Sequence, residues 1–239
     1  ASLYLRGVGL VQVPTTLLAM VDSSVGGKTA VDLSAGKNLA GTFCQPRAVL
    51  ADPDVLDTLP PEQWACGVAE VFKYGMLGDA ALLETLSGDW SDRREDVILR
   101  CVGQKRDLVE RDERDEGPRQ LLNLGHTIGH AIEKASGFAV PHGQAVAMGM
   151  VAMARAAWRL GWSREDCLPP LLRALDNNGV PWRCPFAAGE LLPAMLSDKK
   201  RRGDCVTLVV PQTVGKCALR HTPIGELGAV LRAALEEEG

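Results

Sequence analysis

The sequence predicts an α/β segment over residues 1–55 followed by a mainly α-helical domain over residues 56–239. Up to about Pro53, short apolar runs alternate with glycine-rich turns, which is typical of strands and loops. Beyond that point the apolar residues recur with helical spacing. A hydrophobic content of 46% and a charged content of 23% are those of a globular chain with a real core.

In the first segment, residues 10–13 form an apolar run that predicts a buried strand, and residues 47–52 predict a second strand that ends at Asp52-Pro53. The turns between them contain Gly26-Gly27 and Gly36. Because a buried strand lies so close to Ala1, which is not Met, we expect the chain to begin inside a domain.

The first helix is expected to open at Thr58-Leu59-Pro60-Pro61, since proline is favoured in the first helical turn. Its apolar residues Trp64, Val68, Val71 and Phe72 fall near one face. Periodicity predicts further helices over residues 97–109, 123–135, 145–160, 171–178, 187–196 and 225–237, with one strand over 206–210.

Several classes of protein are disfavoured by composition. A formal net charge of -4 argues against a nucleic-acid partner. No apolar run reaches the ~18 residues of a membrane span, so no membrane partner is expected. The seven cysteines are scattered singly without a CxxC pair, which favours reduced thiols in the cytoplasm.

Three of the four histidines lie within 17 residues: His126, His130 and His142. His126 and His130 have the i, i+4 spacing of the two ligands in HExxH zinc proteases, but Thr127 stands where those enzymes carry their glutamate base, so a protease is disfavoured. On the predicted helix Asn123 shares their face at i−3. This grouping predicts a polar site.

Glu70 is a fourth candidate ligand. It lies between Val68 and Val71 in the middle of the first helix, where a carboxylate is costly unless it is exposed or paired. An ion pair with Lys73 at i+3 is the structural alternative. Glutamate and histidine together suit zinc, which keeps one position open in catalytic sites.

Isolated cations near glycines form a second group. Residues 24–29 resemble the end of a phosphate-binding P-loop, but Asp22 replaces the first required glycine, so a nucleoside triphosphatase is disfavoured. Cations placed this way in an acidic protein indicate a small, multiply anionic substrate. Most other charged residues, such as 111–116, are expected to be solvated. The cations are Lys28, Lys37, Lys105, Arg119, Lys199 and Lys200.

Four blocks of the sequence closely resemble the dehydroquinate synthase family, in order from Arg6 to about Arg201. They are VPTTLLAMVDSSVGGKTAVDLSAGKNLAGTF, TLPPEQWACGVAEVFKYG, DERDEGPRQLLNLGHTIGHAIE and HGQAVAMGM. The resemblance implies that residues 1–55 are the C-terminal part of a Rossmann-like NAD-binding domain and that residues 56–239 bind metal and substrate. It also implies that a glycine-rich loop of this family lies before Ala1.

The resemblance assigns roles residue by residue. The implied zinc or cobalt ligands are Glu70, His126 and His142, with His130 facing the substrate phosphate instead. The implied NAD contacts are Thr15, Thr16, Lys28, Lys37 and Thr58. The implied substrate-site residues are Asp22, Lys28, Asn38, Lys73, Lys105, Arg119, Asn123 and His130.

Other matches concern assembly and closure. Arg6 matches an arginine contributed across a homodimer interface, and one of Lys199 and Lys200 is implied to close over the phosphate. Gln144 and Cys44 depart from the family's usual glutamate and aromatic residue.

The implied activity converts 3-deoxy-arabino-heptulosonate 7-phosphate, an anionic sugar phosphate, to 3-dehydroquinate and phosphate. Transient oxidation by NAD, phosphate elimination, re-reduction and aldol closure follow one another. Two alternatives stay open: a metal-dependent polyol dehydrogenase of the glycerol-dehydrogenase type, and an inactive truncated chain that serves as a scaffold. We expect the 239-residue chain by itself to lack measurable NAD affinity.

Overall fold

The computed structural model describes residues 1–33, 36–196, 201–202 and 204–235. Its helices are α1 Pro61–Gly78, α2 Ala80–Leu86, α3 Arg94–Arg111, α4 His126–Ala135, α5 His142–Arg159, α6 Leu168–Asn177, α7 Ala188–Leu196 and α8 Leu227–Leu235. Its strands are β1 Val11–Gln12, β2 Lys28–Leu33, β3 Gly36–Phe43, β4 Ala48–Val49, β5 Arg201–Arg202, β6 Cys205–Thr213 and β7 Lys216–Pro223. The predicted order, an α/β segment followed by a mainly helical part, is confirmed.

The N-terminal segment contains two small sheets. β1 pairs with β4 in parallel, with Val11 opposite Ala48, and β2 and β3 form an antiparallel hairpin. The strand predicted at residues 10–13 therefore forms, but Val11 and Val13 are 53% and 64% exposed, so the prediction that it is buried was wrong. A two-stranded sheet offers little surface to cover them.

Helix α1 is the centre of the helical part. Every residue from Cys66 to Leu77 is buried, because α2, α3, α5, α6 and β7 surround the helix. The expectation of a single apolar face was therefore too narrow, since Val68, Val71 and Phe72 are buried together with residues on the opposite side. Polar groups on α1 are thus forced into the interior, and Glu70 is one of them.

A second core lies between α4, α5, α7, α8 and the inner face of β6. The strand predicted at 206–210 extends over the whole of β6, which pairs antiparallel with β5 and β7. β7 was not predicted, because its exposed face interrupts the apolar pattern with Lys216, Arg220 and His221. The closing helix begins at Leu227, and residues 236–237 lie outside the described part.

Two helix starts differ from the prediction in a way that matters for the site. α4 begins at His126 rather than at residue 123, because Gly125 adopts a left-handed conformation with φ of 76°. Asn123 therefore ends a separate 3-10 turn and does not share a helical face with His126. α5 begins at His142 rather than at residue 145, directly after Pro141 in extended conformation. Both histidines thus occupy first helical turns.

Candidate metal and anion-binding site

Three helices bring Glu70, His126 and His142 together. Glu70 lies in the middle of α1, and the two histidines are the first residues of α4 and α5. Nε2 of His126 lies 3.5 Å from Oε1 of Glu70, and Nε2 of His142 lies 3.4 Å from the same oxygen. One ligand atom from each residue fits within 4.8 Å of the other two. This spacing suits a single metal ion.

Glu70 is a buried anion, only 1% exposed. Nζ of Lys73 lies 2.6 Å from its Oε2, yet among the residues that the structure describes neither carboxylate oxygen accepts a hydrogen bond of good geometry. The short Lys73–Glu70 distance and the missing hydrogen bond are compatible, because the ammonium group balances the charge of the carboxylate even though none of its N–H bonds is aligned with the oxygen. Burial raises the pKa of Glu70, but Lys73 and His126 outweigh it and hold that pKa well below its usual range.

The donor set fits a divalent metal such as zinc. An ionised carboxylate with unsatisfied oxygens and two imidazole nitrogens directed at it are the ligands that catalytic zinc sites use. Burial lowers the pKa of His142, but its close contacts with the carboxylates of Glu133 and Glu70 raise it to about 9. A second set, His130 with Glu133 and His142, is similarly close.

Asp22 connects this cluster to two further cations. Its Oδ2 accepts a hydrogen bond from Nζ of Lys73 at 3.0 Å, and Lys105 contacts both its carboxylate and its backbone carbonyl. The hydroxyl of Tyr74 donates to Oδ1 at 3.2 Å. Burial raises the pKa of Asp22, but Lys73 and Lys105 outweigh it and lower that pKa. The carboxylate therefore stays ionised between two ammonium groups.

Two further cations, Arg119 and Lys28, lie at the segment that follows Asp22. Arg119 is 2% exposed, and its Nη2 donates to the carbonyl of Gly26 at 2.7 Å. Its Nη1 donates to the carbonyl of Glu113. Within the described residues both acceptors are neutral carbonyls, so the guanidinium charge is available to an anion. Lys28, which is half-exposed, forms an ion pair with Asp115.

The remaining predicted residues lie at more open positions. His130 is 40% exposed, and its Nε2 lies 4.0 Å from Oε2 of Glu133. Asn123 donates from Nδ2 to the carbonyl of Gln120. Asn38 is exposed on β3 with φ of 54°. The rings of His126 and His130 meet edge to face at 5.5 Å, but the nitrogen of His126 that lies near Glu70 groups it with His142.

The predicted cofactor residues lie near the parallel strand pair. Thr15 and Thr16 follow β1, and Oγ1 of Thr16 accepts a hydrogen bond from the backbone of Ala19. Thr58 ends the 3-10 turn after β4 and donates to the carbonyl of Val55. The structure describes only the backbone of Lys37, and Lys199 and Lys200 lie outside the described residues. Arg6 is exposed, with φ of 65°.

Sequence reasoning missed three residues of this region. Tyr74 was not predicted as a site residue, although an aromatic hydroxyl inside a buried helix needs a partner. Asp115 was expected to be solvated, but it pairs with Lys28. Glu133 is 5% exposed and lies 3.2 Å from Nδ1 of His142. Its signal was a carboxylate directly after two buried residues, Ala131 and Ile132.

None of these residues lines the cavity of about 550 Å³ beside Trp64 and Trp90, whose rings stack at 5.2 Å. There the indole of Trp90 donates to Asn178, which also bonds backbone carbonyls.

Among the described helices we find none with the length and apolar character needed to cross a membrane.

Comparison with known proteins places the chain in a family. The 3-dehydroquinate synthase N-terminal family matches residues 1–66, and the 3-dehydroquinate synthase C-terminal family matches residues 67–201. The 3-dehydroquinate synthase of Caulobacter vibrioides is 45% identical over the whole of this chain, which covers 68% of that protein. The chain spans 64% and 66% of the length of two further relatives, those of Pelobacter propionicus and Opitutus terrae.

Solved structures give the same picture. A 2-deoxy-scyllo-inosose synthase complexed with carbaglucose-6-phosphate, NAD+ and Co2+ is 27% identical with a TM-score of 0.83, over 98% of this chain and 70% of that one. The 2-epi-5-epi-valiolone synthase of Streptomyces hygroscopicus, with NAD+ and Zn2+ bound, has a TM-score of 0.85 at 27% identity, over 97% and 67%. An iron-containing alcohol dehydrogenase of Thermotoga maritima, at 14% identity with a TM-score of 0.53 over 95% and 64%, shares the fold alone. With both family regions matched along its length, the chain belongs to the 3-dehydroquinate synthase family.

Proposed function

We propose that this chain provides the metal site and most of the substrate site of a 3-dehydroquinate synthase. The reaction would convert 3-deoxy-arabino-heptulosonate 7-phosphate to 3-dehydroquinate and phosphate. The observation that carries the proposal is the position of the buried Glu70. Two histidine nitrogens approach its Oε1. Its Oε2 contacts Lys73, which begins a series of ion pairs through Asp22 to Lys105. A metal position and an anion position would thus share one wall.

The proposed metal ligands are Glu70, His126 and His142, and the proposed ion is zinc or cobalt. Structural relatives that carry Zn2+ and Co2+ support this choice. Bound there, the ion would act as a Lewis acid toward a substrate hydroxyl. The chain's own contribution is a pair of imidazole rings fixed on the first turns of α4 and α5.

For NAD, the proposed contacts are Thr15, Thr16, Lys28 and Lys37 within a domain that ends near residue 55, together with Thr58 just after it. Thr15 and Thr58 follow the carboxyl ends of the parallel strands β1 and β4. Ligands of α/β sheets bind at that edge. NAD would supply reversible hydride transfer and would be regenerated within each turnover.

The substrate's two anionic ends would meet different cations. We propose that Lys105, Arg119 and Asn123 hold the carboxylate, because Lys105 and Arg119 are buried and Arg119 has only neutral acceptors within the described residues. Lys28, Asn38 and His130, which are more exposed, would serve the phosphate end. Lys199 or Lys200, outside the described residues, would complete it.

The ionisation and pairing of Asp22 decide whether it can act as the base in phosphate elimination. Lys73 and Lys105 hold its pKa low, and both ammonium groups occupy its oxygens, so Asp22 is a poor base. Its proposed role is to orient the two lysines. We therefore propose that the substrate's own phosphate takes the proton during elimination.

The test uses the product of the complete reading frame that contains this chain. With the heptulosonate phosphate, NAD and zinc, we expect phosphate release without net NADH. Steady NADH production from glycerol without phosphate release would favour the polyol dehydrogenase, whose iron-containing relatives share the fold. If neither phosphate nor NADH formed, the result would favour the scaffold alternative.

We also propose a cytoplasmic homodimer in which Arg6 of each subunit approaches the partner's site. The residues beside Arg6 are apolar and exposed: Leu3 at 82%, Tyr4 at 69% and Leu5 at 74%. All seven cysteines are free, which suits a reducing compartment. Ultracentrifugation of the wild type and Arg6→Ala would test it: a wild-type monomer at micromolar concentration would contradict the dimer.

A further inference from the structure

A second buried carboxylate lies beside the proposed metal site. Glu133, on α4, is 5% exposed and directly follows the buried residues Ala131 and Ile132. Its Oε2 lies 3.2 Å from Nδ1 of His142. A carboxylate in such surroundings is costly unless it accepts hydrogen bonds, so its position needs an explanation.

The two nitrogens of His142 face two different carboxylates. Nδ1 meets Oε2 of Glu133, and Nε2 lies 3.4 Å from Oε1 of Glu70. An ionised carboxylate only accepts hydrogen bonds, so contact with Glu133 places a proton on Nδ1. In the neutral ring this leaves the lone pair of Nε2 on the side of Glu70.

His126 has the same arrangement with a different acceptor. Its Nδ1 lies 3.0 Å from the backbone carbonyl of Leu124, and its Nε2 lies 3.5 Å from Oε1 of Glu70. Both rings therefore present Nε2 to one point and engage Nδ1 with an oxygen. For His126 the backbone provides that oxygen, and for His142 a side chain does.

We propose that Glu133 is a positioning residue that fixes the tautomer and ring orientation of His142 for metal binding. Outer carboxylates of this kind raise the basicity of a ligating histidine and orient its ring. The proposal rests on the proposed function, because it takes Glu70, His126 and His142 as the ligands. The competing possibility is that Glu133 itself binds the ion together with His130 and His142, which are equally close.

The experiment compares metal affinity across a set of variants of the whole chain. Zinc affinity is measured by competition with a chelator for the wild type, Glu133→Ala, Glu133→Gln and the control Glu84→Ala, which changes an exposed glutamate of α2. We expect Glu133→Ala to weaken binding by about 10–100-fold. Glu133→Gln keeps an acceptor of nearly the same shape, so its loss should be much smaller, and the control should match the wild type.

Nitrogen NMR of the metal-loaded wild type provides a second readout that needs no variant to fold. We expect the metal on Nε2 of His142 and a proton on its Nδ1. Metal on Nδ1, or a Glu133→Gln loss as large as that of Glu133→Ala, would make Glu133 a ligand and overturn the proposal. Unchanged affinity in Glu133→Ala would also overturn it. Because neither readout uses turnover, an enzyme without cyclase activity but with these results would refute only the proposed function.

Discussion

The separation of His126 and His142 should depend on a glycine crossing between α4 and α5, and Gly149→Ala tests this. An added Cβ at Gly149 would lie 2.0 Å from the carbonyl oxygen of Gly125 and 2.9 Å from the backbone nitrogen of Gly129. Real Cβ atoms essentially never approach within 3.0 Å, so the contact with Gly125 is about 1 Å too short. Both neighbours are backbone atoms, so no rotamer change relieves the overlap and the helices must separate.

The expected magnitude combines two opposing effects. Alanine gains about 0.5–1 kcal/mol over glycine inside a helix. Overpacking a close contact costs about 1–3 kcal/mol. We therefore expect Gly149→Ala to lower the free energy of unfolding by roughly 0.5–2 kcal/mol. Because Gly125 immediately precedes His126, the same displacement should weaken zinc binding, by roughly the 10–100-fold that loss of outer support produces.

Urea unfolding of the metal-free chain and chelator competition measure the two effects. The matched control is Gly103→Ala on α3, where an added Cβ meets no atom within 4 Å. It should stabilise the chain by about 0.5–1 kcal/mol and leave zinc affinity unchanged. If Gly149→Ala were as stable as this control and bound zinc like the wild type, the crossing would not set the distance between the histidines.

Three further outcomes are expected. His142→Ala should abolish stoichiometric zinc, whereas His130→Ala should keep the metal and impair turnover; metal analysis with the reverse ranking would make the i, i+4 pair the ligands. Lys73→Met should destabilise the metal-free chain by about 3–5 kcal/mol, because buried carboxylates lose their partner, and zinc should restore part of this in thermal melts. Burial raises the pKa of Asp112, but the backbone hydrogen bonds that it accepts outweigh burial and lower that pKa. Its contribution to stability is therefore present above its unfolded pKa and lost as pH falls through the lower folded value. The stability gap between wild type and Asp112→Asn should therefore shrink in acid urea titrations, and a gap independent of pH would contradict this.

The sequence allowed the helical part to be predicted well because burial leaves a periodic record. α1 begins at Pro61 as the proline pair indicates, and α7 differs from its predicted range by one residue. The errors occur where tertiary contacts overrule the pattern. Gly125 adopts a left-handed conformation and lies against α5, and nothing in the local sequence distinguishes this glycine from a helical one such as Gly129.

The candidate site also combines features that local sequence patterns predict with features that depend on tertiary contacts. Spacing alone paired His126 with His130, and only the resemblance to a family placed His142 beside Glu70. The structure brings these residues together through the crossing of three helices, which no local pattern encodes. Asp115 escaped notice because a charged residue in a polar stretch is usually solvated, whereas Glu133 was overlooked although it follows two apolar residues. Lys28, the partner of Asp115, is distant from it in sequence, and His142, the partner of Glu133, lies on a different helix.

The charge balance of the site explains how so many ionised groups can be buried together. Asp22 and Glu70 are two carboxylates, and Lys73 and Lys105 are two ammonium groups, so their formal charges cancel before any metal binds. Each anion touches at least one cation, which offsets much of the cost of desolvation. A divalent ion beside Glu70 would leave this wall with an excess of positive charge, to which the buried Arg119 adds. An anionic substrate would then restore neutrality, so the same arrangement of charges that balances within the protein would favour a ligand with carboxylate and phosphate groups.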